Sequence, residues 1–311
     1  MSDAHLQQRA RLTRRAALAS VSMALFLLGL KAYAAWITGS VAMLGSLADT
    51  GFDVLASLMT LYGVRLAAMP ADADHRFGHG KAEALVALAQ VALIAVSATG
   101  ILWQAIDRLR TGSTARDAEI GIGVSLVAIA TTFALLAYQR SVIRRTGSVA
   151  ITTDNIHYQS DLLLNLSVIA ALALEAWVGL EGADPMLGIL IALWLARGAW
   201  VASAHAIDQL MDREWPEEKR QRFVALANAQ PGFRGIHDVR TRTSGAHDFA
   251  QFHAWVDPDM TVAEAHVIVE AAEDALHTAF PGAEVLIHLD PEGWIDRAGR
   301  HDETLRETPE R

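Results

Sequence analysis

The 311-residue chain contains no cysteine. Disulfides are therefore excluded, and any metal site must use oxygen and nitrogen donors. Excess positive charge is also missing: the formal net charge is −9, which gives nucleic-acid binding no support. No His-Glu-x-x-His sequence is present to supply zinc ligands and a general base, which argues against an intramembrane metal hydrolase. The first apolar stretch has no small-residue cleavage site behind it, so it reads as a true span and not as a signal peptide.

Long segments also lack charge. Residues 120–138 carry none. Leu18 to Trp36 contains only Lys31, 162–178 only Glu175, and 186–204 only Arg197. The stretch 84–106 is apolar apart from Gln90, Gln104 and small polar residues. With the region around "LADTGFD" (47–53), these make six stretches of membrane-crossing length. The composition agrees: 52% of residues are hydrophobic and the mean hydropathy is +0.24.

After residue 211 charges become frequent and apolar runs shorten. The expected organisation is a cytoplasmic N-terminal tail (1–14), a six-span membrane domain (15–211), a soluble domain (212–293) and a polar, disordered tail (294–311). Arg9, Arg11, Arg14 and Arg15, then Arg65, Arg76 and Lys81, then Arg140, Arg144 and Arg145 fall on one side of a six-span topology. The positive-inside rule makes that side the cytoplasm. Arg108, Arg110 and Arg116 on the opposite side count against this and are outnumbered.

Asp49 and Asp53 stand four residues apart in an apolar span, although a central carboxylate costs about 2.5–3.5 kcal/mol on insertion scales. "NIHYQSDLLLN" repeats the spacing with His157 and Asp161. Residues i and i+4 share a helix face, about 6 Å apart along the axis. If the two faces meet, Asp49, Asp53, His157 and Asp161 form a four-ligand shell suited to a divalent ion such as Zn²⁺. A lone intramembrane Asp often serves as an interhelical hydrogen-bonding residue; two spans with paired ligands are harder to explain that way.

"PADADHRFGHGKAEA" (70–84) places Asp72, His75 and His79 at ligand spacing, with glycines that permit tight turns. Lys81 and Glu83 open the next span as candidate interfacial anchors. The soluble region predicts helix, strand, strand, helix, strand: a small two-layer α+β domain of ferredoxin-like type. Its signals are a helix after Pro216, a turn at Ser244–Gly245, and a capping box at Thr261 and Glu264. His237, His253, His266 and His288, with Asp290, are spread over these elements. Each alone reads as an ordinary histidine; together they can form one or two metal sites.

In their order and spacing, "SLADTGFDVLASL", "PADADHRFGHGKAEAL", "HYQSDLLLNLSV", "GIHDVRTR" and "VLIHLDP" resemble the cation diffusion facilitator family. The likeness is nearest to the bacterial zinc and ferrous-iron efflux branch and runs from about residue 10 to residue 292. It implies no enzyme but a homodimeric, alternating-access antiporter in the bacterial inner membrane, exporting a divalent metal against protons. The implied cargo is Zn²⁺, with Fe²⁺ and Cd²⁺ as further candidates, and Zn²⁺ is also implied as a structural ion. By position, Asp49, Asp53, His157 and Asp161 match the transport site, and Asp72, His75 and His79 match a site between spans 2 and 3. His237, His253, His266, His288 and Asp290 match cytoplasmic sites at a dimer interface. Lys81 and Asp212 match a charged pair tying membrane and cytoplasmic domains across the dimer. Leu289 stands where a polar residue can assist the cytoplasmic site. "RSVIRRTGS" lacks the histidine-rich run of many vesicular zinc transporters in the family.

His157 is the natural proton switch, since histidine titrates near pH 6.5 and its protonated ring cannot ligate metal. The competing reading is a membrane metal sensor without transport, which would leave the intramembrane carboxylates unexplained.

Overall fold

The computed structural model describes residues 2–38, 41–111, 121–178 and 182–293. Six long helices come first: α1 (Ser2–Thr38), α2 (Val41–Ala67), α3 (Ala82–Thr111), α4 (Gly121–Thr146), α5 (Val149–Val178) and α6 (Ala183–Leu210). Then follow α7 (Glu217–Asn228), β1 (Ile236–Ser244), β2 (His247–Val256), α8 (Val262–Ala279) and β3 (Ala283–Pro291). The chain divides into two compact units, with boundaries at Arg9–Ile207 and Asp208–Arg311 for the two main segments. Helix α1 runs from Ser2 through the first apolar stretch to Thr38. The expected disordered tail, 294–311, lies outside the described residues, as does Arg116.

Among the described residues, four stretches are long and apolar enough to cross a membrane: Leu6–Ile37, Ala82–Thr111, Leu126–Thr146 and Ala183–Leu210. Helices α2 and α5, at 27 and 30 residues, have the same reach but carry the paired carboxylates and histidine. Helices satisfy their own backbone hydrogen bonds, which is what a bilayer core demands.

Lipid tails are as apolar as leucine, so small residues and close packing hold such helices together. Ala16, Ala17 and Val21 of α1 pack with Leu61 and Val64 of α2, Val142 of α4, and Ala150 and Ile151 of α5. A second cluster joins Ile94 and Ala98 of α3 to Ile191, Leu195 and Ala199 of α6. Gly63 of α2 sits so close to α3 that an added Cβ would lie 2.5 Å from Val86 Cγ2. Outward-facing Trp36, Trp103 and Trp177 lie in the C-terminal parts of α1, α3 and α5, as in an interfacial aromatic belt.

Glu83 departs from the anchor expected of it. It is buried, accepts from Ser148 Oγ at 2.7 Å and lies 3.6 Å from Arg9 of α1. Burial of a carboxylate is tolerated there because a cation and a hydroxyl both face it.

In the C-terminal unit the predicted αββαβ order is present. The sheet order is β1-β2-β3, with β1 and β2 antiparallel and β2 and β3 parallel. The β2–β3 crossover contains α8, as a parallel pair requires. Thr261 and Glu264 form the capping box at its start. The core packs Phe223, Val224 and Ala227 of α7 and Leu276 of α8 on Phe252, Ala254 and Val285 of the sheet. One sheet face is thus covered by helices, and residues of the other parity point away from them.

Candidate metal sites

Three ligand clusters emerge, each built by a different local geometry. In the membrane unit α2 and α5 bring Asp53, His157 and Asp161 together, with one ligand atom of each within 4.8 Å of the others. His157 Nε2 lies 3.1 Å from Asp53 Oδ1 and 4.0 Å from Asp161 Oδ2. These side chains are only partly exposed and line a cavity of about 610 Å³. Asp49, one turn earlier on α2, lines the same cavity but stands outside the cluster, so three of the four expected ligands converge. Lys31 of α1 reaches the cavity too, donating to Thr50 Oγ1 at 2.6 Å. The sequence marked Lys31 only as a lone charge; its place beside the carboxylates depends on how α1 packs on α2.

The segment between α2 and α3 builds the second cluster from Asp72, His75 and His79. Asp72 Oδ1 accepts from the backbone N–H of His75 at 2.7 Å and of Asp74 at 3.0 Å, a local turn of the type aspartate favours. The His75 N–H is the main reason that the Asp72 carboxyl is held below its usual range. Gly78, at φ 76°, closes the turn by donating to His75 O at 2.9 Å. That turn brings His79 Nε2 to 3.3 Å and His75 Nδ1 to 3.4 Å from Asp72. His79 Nδ1 is buried with no hydrogen-bond partner among the described residues. Lys81 follows in the turn before α3.

The third cluster is a matter of strand register. His237 of β1 is paired with His253 of β2, and His253 with His288 of β3. The three imidazoles form a row on the face away from the helices. Asp290, two residues beyond His288 on the same face, lies 2.8 Å from His253 Nδ1, 3.3 Å from His237 Nε2 and 3.4 Å from His288 Nε2. Leu289 alternates to the other face and packs against the core, so it belongs to the hydrophobic layer and not to the ligand row. An irregularity after His237 places Asp238 at φ 49°, with its carboxylate 3.9 Å from His253 Nε2. Alternation along an unbroken strand would point Asp238 away from His237, which is why sequence reasoning missed it.

His266 is not brought to this row. It sits exposed on α8, 3.5 Å from Glu270, while the histidine row occupies the opposite side of the sheet. Asp212, at φ 55°, lies 3.3 Å from Arg242 within its own unit.

Oxygen and imidazole donors converge at three places in this multi-pass membrane protein, one of them inside its helical bundle, in arrangements that could hold metal ions. The comparisons with known proteins are specific. A family model described as "Cation efflux transmembrane domain" matches residues 17–211, and one described as "Cation efflux protein, cytoplasmic domain" matches 215–292. The chain is 43% identical over 281 residues to the cation-efflux pump FieF of Cronobacter sakazakii, covering 90% of this chain and 93% of that protein. It is 40% identical over 292 residues to FieF of Klebsiella pneumoniae, covering 94% and 97%. A solved structure of CzrB in its Zn form is 36% identical over 28% of this chain and 99% of that one, with a TM-score of 0.25. The chain belongs to the cation diffusion facilitator family. It is a divalent-cation efflux transporter and not a classical enzyme.

Proposed function

We propose that this protein exports Zn²⁺ from the bacterial cytoplasm in exchange for protons, as a homodimer in the inner membrane working by alternating access. The N-terminus and the C-terminal domain are then cytoplasmic. The observation that carries the reading is the convergence of Asp53, His157 and Asp161 on one cavity between α2 and α5. Two carboxylates and an imidazole, with Asp49 one turn away, suit a tetrahedral ion. Mg²⁺ and Ca²⁺ prefer six or more oxygens. Fe²⁺ and Cd²⁺ are the further cargo candidates; Fe²⁺ lies below Zn²⁺ in intrinsic affinity, so supply would decide its use. The relatives named cation-efflux pumps point the same way.

Protons are the natural counter-cargo. The ionised quartet carries three negative charges, and an empty, dehydrated site of that charge is costly. Competition flux in sealed proteoliposomes tests the reading. Zn²⁺ uptake should saturate, depend on a pH gradient, and be inhibited by Cd²⁺ but not by Mg²⁺. Zinc binding without flux would favour the sensor.

In the segment site, the orphaned His79 nitrogen and the pre-turned Asp72 fit a bound ion that orders the segment. His79→Ala is expected to raise the zinc concentration for half-maximal flux by about tenfold while leaving maximal flux substantial. Flux abolished at saturating zinc would place this site on the obligatory path.

The row of His237, His253, His288 and Asp290 has the donor chemistry for resident Zn²⁺, which would link strands already in register. The matched domain family supports dimerisation, and an ion that binds the associated form stabilises it. In a fragment from Asp208 onward, which contains its own core, His253→Ala should weaken zinc-dependent dimerisation by about tenfold or more. Analytical ultracentrifugation across a zinc titration checks this; identical association of parent and variant would remove the site from the interface.

A further inference from the structure

One titratable group of the membrane unit has no part in the ligand clusters. Asp154 lies on α5, one turn before His157, and is fully buried at 0% exposure. Four other helices converge on its carboxylate. Oδ2 accepts from Ser20 Oγ of α1 and from Gln139 Nε2 of α4, each at 2.7 Å. Oδ1 accepts from Gln90 Nε2 of α3 at 3.2 Å and from Thr60 Oγ1 of α2 at 3.3 Å. All four partners are themselves buried. Among the described residues no lysine or arginine pairs with Asp154.

An ionised carboxylate offers about four acceptor sites, and here all four are used. Reoriented, the same groups can also serve the neutral acid. Ser20 Oγ is also 3.2 Å from Ala16 O, and Thr60 Oγ1 is 3.1 Å from Ala56 O. Each hydroxyl has one proton and two acceptors within reach. Turned inward, both satisfy the anion. If one turns back to its own helix carbonyl, its oxygen can accept the proton of a carboxylic acid. Gln90 Oε1 is buried without a partner, a spare acceptor that an amide reversal would bring to that proton. The network holds either protonation state with no helix displaced.

We propose that Asp154 is a proton-carrying site of the transport cycle, separate from the metal ligands. The proposal rests on the antiport reading and adds a second carrier to His157. A divalent ion at Asp53, His157 and Asp161, about 5 Å along the helix, repels a proton on Asp154, which then leaves toward the cavity that the neighbouring Tyr158 lines. Departure of the ion restores the negative field and the carboxylate takes up H⁺ again. The titratable groups around Asp154 are few. His157 and Tyr158 lie on its own helix, the latter paired with Ser57 at 2.6 Å. Among the described residues, α1, α2, α3 and α4 bring Ser20, Thr60, Gln90 and Gln139 to its carboxylate. Arg9 and Glu83 form their ion pair nearer the start of α5, beside Ser148.

The test uses the full-length protein in sealed vesicles with zinc and pH dyes. Asp154→Asn keeps shape and hydrogen bonding but cannot ionise. It should bind zinc about tenfold more weakly at about pH 8, where the parent carboxylate is free to ionise, lower the protons moved per zinc, and flatten the pH dependence of flux over about pH 6–8. An unchanged proton-to-zinc ratio and pH profile would reduce Asp154 to a strut and overturn the proposal. Should that variant fail to fold, Gln139→Leu decides. Losing one donor to the anion favours the neutral acid, so the pH profile should move upward by about one unit; an unmoved profile overturns the proposal. If the parent moves zinc without protons, the antiport reading fails and this proposal with it. If the parent couples protons and Asp154→Asn does so equally, only this proposal fails.

Discussion

In sealed proteoliposomes, Asp53→Ala is expected to export zinc at least about 100-fold more slowly than the parent at low zinc, while still inserting and dimerising. Removing even an outer partner of a metal ligand typically costs 10–100-fold, and Asp53 is proposed as a ligand itself. Its carboxylate is also the group nearest His157, at 3.1 Å, so its loss leaves that imidazole without the oxygen that faces it. The variant removes no core residue: Asp53 lines the cavity and is only partly buried, so the bundle should keep its helix contacts. Stopped-flow flux with an encapsulated zinc dye, paired with size-exclusion of the detergent-solubilised protein, separates loss of transport from loss of fold. Near-parental flux at low zinc would remove Asp53 from the transport site.

The second large effect concerns pH. His157→Asn should weaken zinc binding by about 10-fold or more and flatten its pH dependence around pH 6–7. Protonation and metal ligation compete for the same imidazole nitrogen, so zinc binding by the parent falls as pH drops and the ring takes a proton. Asparagine has no such competition. The Asp53 and Asp161 carboxylates lie 3.1 and 4.0 Å from the His157 ring. Calorimetry in a background lacking His75, His79 and His253 isolates the membrane site. A variant that kept the parent's full pH slope there would hand the proton to carboxylates, Asp154 included.

Much of this was legible in the chain because the chemistry is periodic. The four-residue spacings of Asp49 with Asp53 and His157 with Asp161 mark one face of each helix whatever surrounds them. The αββαβ order followed from alternation, from the turn at Ser244–Gly245 and from a capping box whose two residues are three apart. Asp154 was harder to recognise. It stands three residues before His157, in "TDNIHYQSD", where an acid at the start of a span resembles an interfacial residue. The signal lay in the scattered intramembrane Ser20, Thr60, Gln90 and Gln139, which become partners only when helices α1 to α5 pack. Asp238 was missed because a strand irregularity changes the direction in which its side chain points.

By itself the sequence determined the family, the membrane-spanning character, the absence of thiolate chemistry and the ligand types available to a cation. Those properties depend on composition and on short-range spacing along helices and strands, which the backbone period fixes locally. Only the tertiary structure decided which ligands meet. It brought Asp53, His157 and Asp161 together and left Asp49 one turn aside. It aligned His237, His253 and His288 through strand register and set His266 on the far side of the sheet. It gathered four helices on Asp154. Each outcome depends on the rotation and register of one element against another, and these are set by side-chain packing between residues far apart in the chain.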